Sequence, residues 1–196
     1  MTVFQFEELA RLDLSVIIVS FNTRDVLLDC LTSVYAQTEG ISYEVIVVDN
    51  ASSDDTLDSV AEKFPDVRLI HNDVNKGFSA ANNQGICESA GKWIALLNPD
   101  TRLIENSFQK ICEYLQEHSE FSILGPGIID ESSRQSPTRL WEDTPNDAAW
   151  KILGLYNPSD ELQRMTDTKE ALVISGCCFV IHRELFKEIG LLDENY

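Results

Sequence analysis

Two short apolar runs of this chain each end abruptly in polar residues. Residues 45–48 (Val-Ile-Val-Val) lead directly into Asp49 and Asn50, and residues 94–97 (Ile-Ala-Leu-Leu) lead into the turn at residues 98–101 (Asn-Pro-Asp-Thr). Open α/β sheets build their binding sites from apolar strands that deliver polar groups to their carboxyl ends. Two such strands in one sheet predict a site for a ligand that bears phosphate and for a hard cation.

Strands and helices are predicted to alternate along the first two thirds of the chain. Apolar runs rich in β-branched residues predict buried strands, and they occupy residues 14–19, 43–48, 67–70, 93–97 and 121–124. This order favours an α/β fold with a mostly parallel sheet and helices on both of its faces.

Apolar side chains at helical spacing predict four amphipathic helices between these strands. Asn22 or Thr23 can cap the first helix, Ser52 and Asp55 have a spacing similar to a capping box before the second, and Gly77 opens the third. The four predicted apolar faces are Leu27, Leu31, Val34 and Tyr35; Leu57, Val60, Ala61 and Phe64; Phe78, Ala81, Gly85 and Ile86; and Ile104, Phe108, Ile111 and Leu115.

The regular alternation stops after the Gly-Pro-Gly of residues 125–127. Residues 130–169 are polar and contain three prolines, which predicts an irregular excursion with one helix near residues 148–155. Residues 171–181 predict another buried strand, interrupted at residues 175–176 (Ser-Gly), and residues 184–189 predict a short helix. A chain of 196 residues is long enough for one domain with a sizeable core, so we expect residues 1–196 to form a single domain.

Composition excludes several classes of function. The net charge of -18 repels nucleic acid and argues against electrostatic docking on anionic lipid. No apolar run approaches the roughly 20 residues of a membrane helix, and the first residues do not resemble a signal peptide, which predicts a cytoplasmic protein. The five cysteines lack CxxC spacing, so we expect reduced, mostly buried thiols rather than a disulfide framework or a zinc site.

Three predicted strand ends carry residues suited to binding chemistry. Backbone amides at residues 20–22 (Ser-Phe-Asn) can bind an anion or the edge of a base. Asp49 can accept a hydrogen bond from a ribose hydroxyl or from an N–H group of a base. Asp100 can bind a divalent cation, to which Asn98 adds a neutral oxygen. Taken singly, an Asp or Asn after a strand often only caps a helix, and Pro99 can simply rigidify its turn. Their joint placement on successive strand ends favours a site.

Four blocks of the sequence together resemble family 2 glycosyltransferases. They are residues 15–22, residues 44–54, residues 75–85 and residues 96–101, and they occur in the order that the family shows. The Asn-Pro-Asp of residues 98–100 is similar to the rhamnosyltransferase-like branch, where it replaces the usual Asp-x-Asp. The resemblance covers roughly the first half of the chain.

The resemblance implies a GT-A fold and an inverting transfer of a sugar, rhamnose or another deoxysugar in this branch. The donor would be a nucleotide diphosphate sugar of the UDP, dTDP or GDP type, and the acceptor a saccharide or a lipid-linked saccharide in the synthesis of cell-surface polysaccharide. A peripheral position at the inner face of the cell membrane stays open. Residues 14–125 would then form the half that binds the nucleotide sugar, and residues 170–196 the start of the acceptor-side half.

Roles for individual residues also follow from the resemblance alone. It implies that Ser20, Phe21 and Asn22 line the nucleotide pocket, and that Asp49 with Asn50 contacts the base or ribose. It also implies that Lys76 and Gly77 lie beside the nucleotide, and that Asp100 with Asn98 positions Mg²⁺ or Mn²⁺ on the diphosphate.

The chain departs from the family pattern in two places. Asn98 supplies no charge where many relatives have a carboxylate, which predicts weaker metal binding. Residues 173–195 resemble the acceptor-side block, but the Glu-Asp pair that contains the family's catalytic base would follow Tyr196, so we expect a C-terminally incomplete domain. Asp193 and Glu194 are the nearest carboxylates and the remaining candidates for the base. Surface left uncovered in an incomplete domain predicts self-association.

Three alternatives differ in class from a sugar transferase. A nucleotide-sugar-binding or scaffold module with the same fold but no turnover agrees with the missing base. A nucleotidyltransferase or a Rossmann dehydrogenase would bring a glycine-rich loop after the first strand, but residues 20–23 (Ser-Phe-Asn-Thr) contain no glycine. The sequence therefore favours the transferase, with the binding module as the alternative.

Overall fold

A computed structural model describes residues 12–129, 135–136 and 176–195 of the chain. Within these residues the elements follow the predicted alternation. The strands are β1 (Leu12–Ser20), β2 (Tyr43–Asp49), β3 (Arg68–His71), β4 (Gly91–Leu97), β5 (Ile123–Leu124), β6 (Ile128–Ile129), β7 (Gln135–Ser136) and β8 (Cys178–His182). The helices are α1 (Arg24–Gln37), α2 (Thr56–Lys63), α3 (Phe78–Glu88), α4 (Ser107–Glu117) and α5 (Leu185–Ile189).

The central sheet of the described residues has six strands in the order β3-β2-β1-β4-β8-β5. The pairs β1–β2, β1–β4 and β2–β3 are parallel, whereas β8 runs antiparallel to both β4 and β5. Although β8 runs in the opposite direction, the strands β1, β2, β3 and β4 all run the same way. Their carboxyl ends therefore lie at one edge of the sheet. The mostly parallel sheet that the sequence predicts is confirmed.

Helices cover both faces of this sheet. Because side chains alternate along a strand, odd and even positions of each strand enter different cores. One core packs Val16 and Val45 against α1, α2 and α4, and the other packs Ile17 and Ile46 against α3 and α5. The strands β1, β2 and β4 are therefore buried on both faces, which explains why they read as continuous apolar runs.

Three apolar side chains placed on predicted helix faces are exposed instead. Ala61 lies on the solvent side of α2, Phe78 is half exposed at the first position of α3, and Ile104 precedes α4, which begins at Ser107. These predictions were wrong for two reasons: Phe78 and Ile104 lie at or before the first residue of a helix, and Ala61 lies off the buried face of α2 that contains Val60. Among the described residues, neither Thr23 nor Asp55 makes a side-chain capping hydrogen bond, although each holds the N-cap position.

The chain divides into two compact units, residues 1–124 with 176–196, and residues 125–175. Within the second unit, the described strands β6 and β7 pair antiparallel. The predicted helix near residues 148–155 and the first part of the predicted strand at residues 171–181 lie outside the described residues. The strand that the structure does describe there begins at Cys178 and ends at His182.

The cysteines form no disulfide within the described residues, as the sequence predicts. Burial raises the pKa of Cys30, Cys112 and Cys178 to about 12, so these thiols behave as small apolar side chains. Cys87 is exposed, and Cys177 is partly buried. No described helix combines the length and the apolar character that crossing a bilayer requires.

Candidate functional site

The strand register brings the predicted site residues to one edge of the sheet. Ser20 pairs with Asp49 across β1 and β2, and Ile18 pairs with Leu97 across β1 and β4, so the turn after Leu97 lies beside the end of β1. The backbone N–H of Asn50 donates to the carbonyl of Ser20 at 2.8 Å and continues this pairing past the strand.

Asp49 and the turn that contains Asp100 lie on opposite sides of β1. Two strand spacings of about 4.8 Å place the ends of β2 and β4 about 10 Å apart. An extended ligand that lies across the end of β1 could contact both carboxylates.

Asp49 is fully buried and uses only one of its two carboxylate oxygens. Its Oδ2 accepts from the backbone N–H of Ser52 at 3.1 Å and lies 3.1 Å from Nδ1 of His71. Its Oδ1 is buried and has no hydrogen-bond partner among the described residues. A buried polar atom without a partner costs about 1–3 kcal/mol, so Oδ1 is an acceptor suited to a donor from a ligand.

Asn50 organises the loop before α3 through its side-chain hydrogen bonds. Its Oδ1 accepts from the backbone N–H of Lys76 at 2.9 Å, and its Nδ2 donates to Oδ1 of Asn75 at 2.7 Å. The Nδ2 group also donates to the carbonyl of Gly77 at 3.3 Å, and the side chain of Asn72 donates to the same Asn50 Oδ1. All polar atoms of the Asn50 side chain are thus engaged within the protein.

Lys76 and Gly77 form an exposed loop at the start of α3. Gly77 has a φ of 84°, and its N–H donates to Oδ1 of Asn75 at 2.9 Å. Lys76 brings a positive charge to an acidic chain and forms no ion pair with another residue that the structure describes. The loop therefore offers a cation and a helix N-terminus at the carboxyl edge, both of which favour a phosphate group.

The turns after β1 and β2 interlock. The backbone N–H of Asn22 donates to Oγ of Ser52 at 2.9 Å, and Oδ1 of Asn22 accepts from the N–H of Ser53 at 2.8 Å. Ser20 is buried, and its hydroxyl lies 2.9 Å from that of Thr23. The side chains of Ser20 and Asn22 thus build the turn, while Phe21 is 47% exposed and presents an aromatic face.

Asp100 and Asn98 follow β4 at the same edge. Asp100 is exposed and Asn98 is half-buried, with its backbone N–H donating to the carbonyl of Cys177 at 2.8 Å. No group of three His, Cys, Asp or Glu side chains in the described part of the chain could hold a metal ion. Mg²⁺ is commonly held by one or two carboxylates together with substrate phosphates. The donor set therefore fits a cation that takes most of its ligands from a bound diphosphate.

The C-terminal carboxylates Asp193 and Glu194 have different surroundings. The backbone and side-chain N–H groups of Asn195 donate to Asp193 and lower its pKa, which makes Asp193 a weaker base. The Oε1 of Glu194 accepts from Nδ2 of Asn83 at 2.8 Å. Glu194 and Asn83 both line a cleft of about 530 Å³ beside α3.

Four residues at this edge were not predicted from the sequence as site residues. Ser52 and Ser53 lie inside a block that the family resemblance covers, so their polar character was an available signal. Asn75 begins the block at residues 75–85 and had the same signal, but its hydrogen bond with Asn50 could not be read from the sequence. His71 ends β3 as Asp49 ends β2, and a polar residue at a strand end was the pattern that could have identified it.

The sequence is similar to a known protein family and to several curated proteins. The model of glycosyl transferase family 2 matches residues 15–190. The succinoglycan biosynthesis protein ExoO of Rhizobium meliloti (strain 1021) is 36% identical over 102 residues, which are 52% of this chain and 29% of that protein. The N-acetylglucosaminyl-diphospho-decaprenol L-rhamnosyltransferase of Mycobacterium tuberculosis (strain CDC 1551 / Oshkosh) is 26% identical over 176 residues, which are 78% of this chain and 56% of that protein.

A solved structure shares the architecture. The mannosyltransferase PcManGT from Pyrobaculum calidifontis, in complex with GDP-Man and Mn²⁺, matches with a TM-score of 0.69 at 19% identity, over 94% of this chain and 48% of that chain. At this identity the likeness shows the fold, and it confirms the GT-A fold that the motifs imply. The chain spans between 29% and 56% of the length of the two curated relatives described above.

Proposed function

This chain belongs to glycosyl transferase family 2, and we propose that it binds a nucleotide diphosphate sugar along the carboxyl edge of its sheet. The protein then transfers the sugar, with inversion, to a saccharide or lipid-linked acceptor. The observation that carries this proposal is the buried Oδ1 of Asp49, an acceptor without a partner among the described residues, at the centre of interlocked turns. Such an oxygen is suited to an N–H of a base or an O–H of ribose.

The nucleoside end of the ligand would lie at the ends of β1 and β2. Phe21 offers an exposed aromatic face, and Asp49 offers its unpartnered oxygen. The positive φ angles of Asn22 (54°) and Ala51 (71°) mark the two turns that hold these residues. Strained backbone of this kind persists where surrounding structure holds it, which supports a preformed nucleoside pocket.

The diphosphate end would lie toward Lys76 and Asp100. Lys76 contributes a positive charge, and Asp100 with Asn98 would hold Mg²⁺ or Mn²⁺ against phosphate oxygens. When bound, the cation would neutralise negative charge on the leaving diphosphate. The use of a divalent cation with a nucleotide sugar is supported by PcManGT, whose solved complex contains GDP-Man and Mn²⁺.

The transferred sugar is proposed as rhamnose or another deoxysugar. Support comes from the Asn-Pro-Asp of residues 98–100 and from the similarity to a protein named as an L-rhamnosyltransferase. A role in polysaccharide synthesis is supported by the similarity to a succinoglycan biosynthesis protein. An inverting transfer needs a base that removes the acceptor proton, and the lowered pKa of Asp193 gives no support to that residue as the base.

Thermal unfolding with and without nucleotide tests this proposal. We expect UDP, dTDP or GDP at about 1 mM, with Mn²⁺, to raise the Tm, because a ligand that binds only the folded state adds about 2.7 kcal/mol at a hundred times its Kd. Asp49→Asn should reduce this shift, and Asp100→Asn should reduce only the part that depends on Mn²⁺. Glu62→Gln, an exposed change on α2, is the matched control and should leave the shift intact.

The absence of a shift with all three nucleotides would overturn the proposal. A second measurement, the release of nucleotide from UDP-, dTDP- and GDP-linked sugars, separates transfer from binding. A chain that binds nucleotide but releases none would support the binding module without turnover instead.

A further inference from the structure

His71 lies beside the candidate nucleoside pocket, because strand register places it against the Asp49 carboxylate. The parallel strands β2 and β3 pair Asp49 with His71, and the Nδ1 atom of His71 lies 3.1 Å from Oδ2 of Asp49. The His71 side chain is 47% exposed, while the Asp49 carboxylate is fully buried. His71 thus reaches from the surface to the carboxylate.

The contact defines which atoms donate and which accept. Because an ionised carboxylate only accepts hydrogen bonds, we assign the ring hydrogen to Nδ1 of His71, which then donates to Oδ2 of Asp49. The backbone N–H of Ser52 donates to the same oxygen at 3.1 Å. Two donors on Oδ2 set the rotation of the carboxylate, and that rotation leaves Oδ1 buried without a partner among the described residues.

A second carboxylate near His71, that of Asp73, leaves this contact undisturbed. The carboxylate of Asp73 lies 3.9 Å from Nε2 of His71 and is fully exposed to solvent. Water screens an exposed pair at this distance, so it contributes little to holding the ring. The hydrogen bond to Asp49 is therefore the contact by which His71 can act on the pocket.

We propose that His71 is a positioning residue, which holds the Asp49 carboxylate so that Oδ1 faces the base or ribose of the bound nucleotide. This inference rests on the proposed function. Without the Nδ1 donor, Ser52 alone would hold Oδ2, and the carboxylate could rotate to satisfy Oδ1 elsewhere. The nucleotide would then lose an acceptor that was oriented before it bound, which costs affinity.

Three variants of His71 separate positioning from packing. The amide nitrogen of asparagine is as many bonds from Cα as Nδ1 of histidine is. His71→Asn should therefore keep a hydrogen-bond donor to Asp49. His71→Gln keeps a polar side chain but moves its amide one bond farther out, and His71→Leu removes the donor altogether. All three suit a half-exposed position. Asp73→Asn, which changes only the exposed neighbour of His71, is the matched control.

The experiment measures the Kd of each variant by calorimetry, in the presence of Mn²⁺, for two probes. One is whichever of UDP, dTDP and GDP binds the unaltered chain most tightly, and the other is inorganic pyrophosphate, which has no base or ribose. We expect His71→Leu and His71→Gln to weaken nucleotide binding about tenfold, the scale of one hydrogen bond to a charged group. His71→Asn and Asp73→Asn should stay within about twofold of the unaltered chain. Pyrophosphate binding should stay unchanged in every variant.

Each other outcome overturns the inference in an identifiable way. Unchanged nucleotide affinity in both His71→Leu and His71→Gln would refute the positioning role and leave the proposed function intact. Equal weakening of nucleotide and pyrophosphate binding would show a general structural role instead. Failure of the unaltered chain to bind any of the three nucleotides would overturn the proposed function together with this inference.

Discussion

Three residues at the carboxyl edge of the sheet have left-handed backbone conformations. Asn22 follows β1, Ala51 follows β2, and Gly77 precedes α3, with φ angles of 54°, 71° and 84°. Asn tolerates this region because its side chain can hydrogen-bond locally, and here it bonds Ser53, whereas Ala has no such compensation. The strain is thus located in the turns that shape the candidate site.

Gly77 is the residue at which this conformation demands glycine. Its φ of 84° and ψ of 172° lie in a region that is essentially restricted to glycine, yet a Cβ there would meet no atom within 4 Å. We expect Gly77→Ala to lower the free energy of unfolding by about 1–3 kcal/mol through backbone strain alone. Urea denaturation measures this change.

Gly176→Ala is the control for Gly77→Ala. A Cβ at Gly176 also meets nothing within 4 Å, but its φ is not in the left-handed region. This change should therefore alter the free energy of unfolding by less than about 0.5 kcal/mol, as surface substitutions usually do. Equal effects of the two substitutions would contradict the assignment of strain to Gly77.

At the scale of elements, α3 approaches β1 closely through a glycine. A Cβ at Gly85 would lie 2.5 Å from Cγ2 of Ile17, so this contact lets the helix lie directly on the strand. We expect Gly85→Ala to destabilise the protein by about 1–3 kcal/mol through overpacking. Ile17→Ala alone should cost about 2–5 kcal/mol because it leaves a cavity.

The double mutant tests this contact. In Gly85→Ala/Ile17→Ala the added methyl enters the space that Ile17 leaves, so the combined loss of unfolding free energy should be smaller than the sum. Ile17→Val is the control, because valine keeps the branch that meets the new methyl and should give additive losses. Additive losses in the alanine pair, measured by urea denaturation, would count against the contact.

Asn83 ties the C-terminal segment to α3. Its Nδ2 donates to the carbonyl of Leu192 at 2.9 Å and to Glu194, while its Oδ1 accepts from the N–H of Leu192 at 3.0 Å. We expect Asn83→Ala to leave these groups unpartnered, to cost about 1–3 kcal/mol of stability, and to speed hydrogen exchange at the Leu192 amide. Asn83 therefore fixes the position of Glu194 beside the cleft.

Asn82→Ala is the matched control for Asn83→Ala. Asn82 is also buried in α3, but its Nδ2 donates to the carbonyl of Phe78 within the same helix. This variant should lose stability without a selective increase in exchange at Leu192. Unchanged exchange at Leu192 in Asn83→Ala would show that other contacts hold the segment.

At the scale of the whole molecule, a net charge of -18 opposes compactness. Salt shortens the screening length from about 30 Å at 0.01 M to about 3 Å at 1 M. The ion pairs among the described residues are mostly exposed and contribute little. We therefore expect NaCl over this range to raise the Tm by several degrees, measured by circular dichroism.

Potassium chloride is the control for the salt effect, since screening depends on ionic strength rather than on the cation. A Tm that falls with both salts would show that attractive pairs outweigh repulsion. The same series, followed by light scattering, checks the self-association that the sequence predicts, because screening also reduces repulsion between copies of the chain.

Local patterns were sufficient to predict most strands and helices and their order along the chain. The apolar runs of β1, β2 and β4 predicted strands buried on both faces, and helical spacing predicted the inner faces of α1 and α4. The prediction failed at Ile104 and Phe78, which are exposed although they continue the apolar spacing. Periodicity describes one face of a helix but not how far along its length that face is covered.

The sequence by itself determined the order of strands and helices, and it determined that polar residues end the parallel strands, because both depend on neighbours along the chain. Only the tertiary structure decided which polar atoms are engaged. It commits the Asn50 side chain to the loop at Lys76, and it pairs Asp49 with His71 while leaving one carboxylate oxygen without a partner among the described residues. The physical reason is that these hydrogen bonds join residues more than 20 positions apart, which come together only when the strands pair and the loops after them fold.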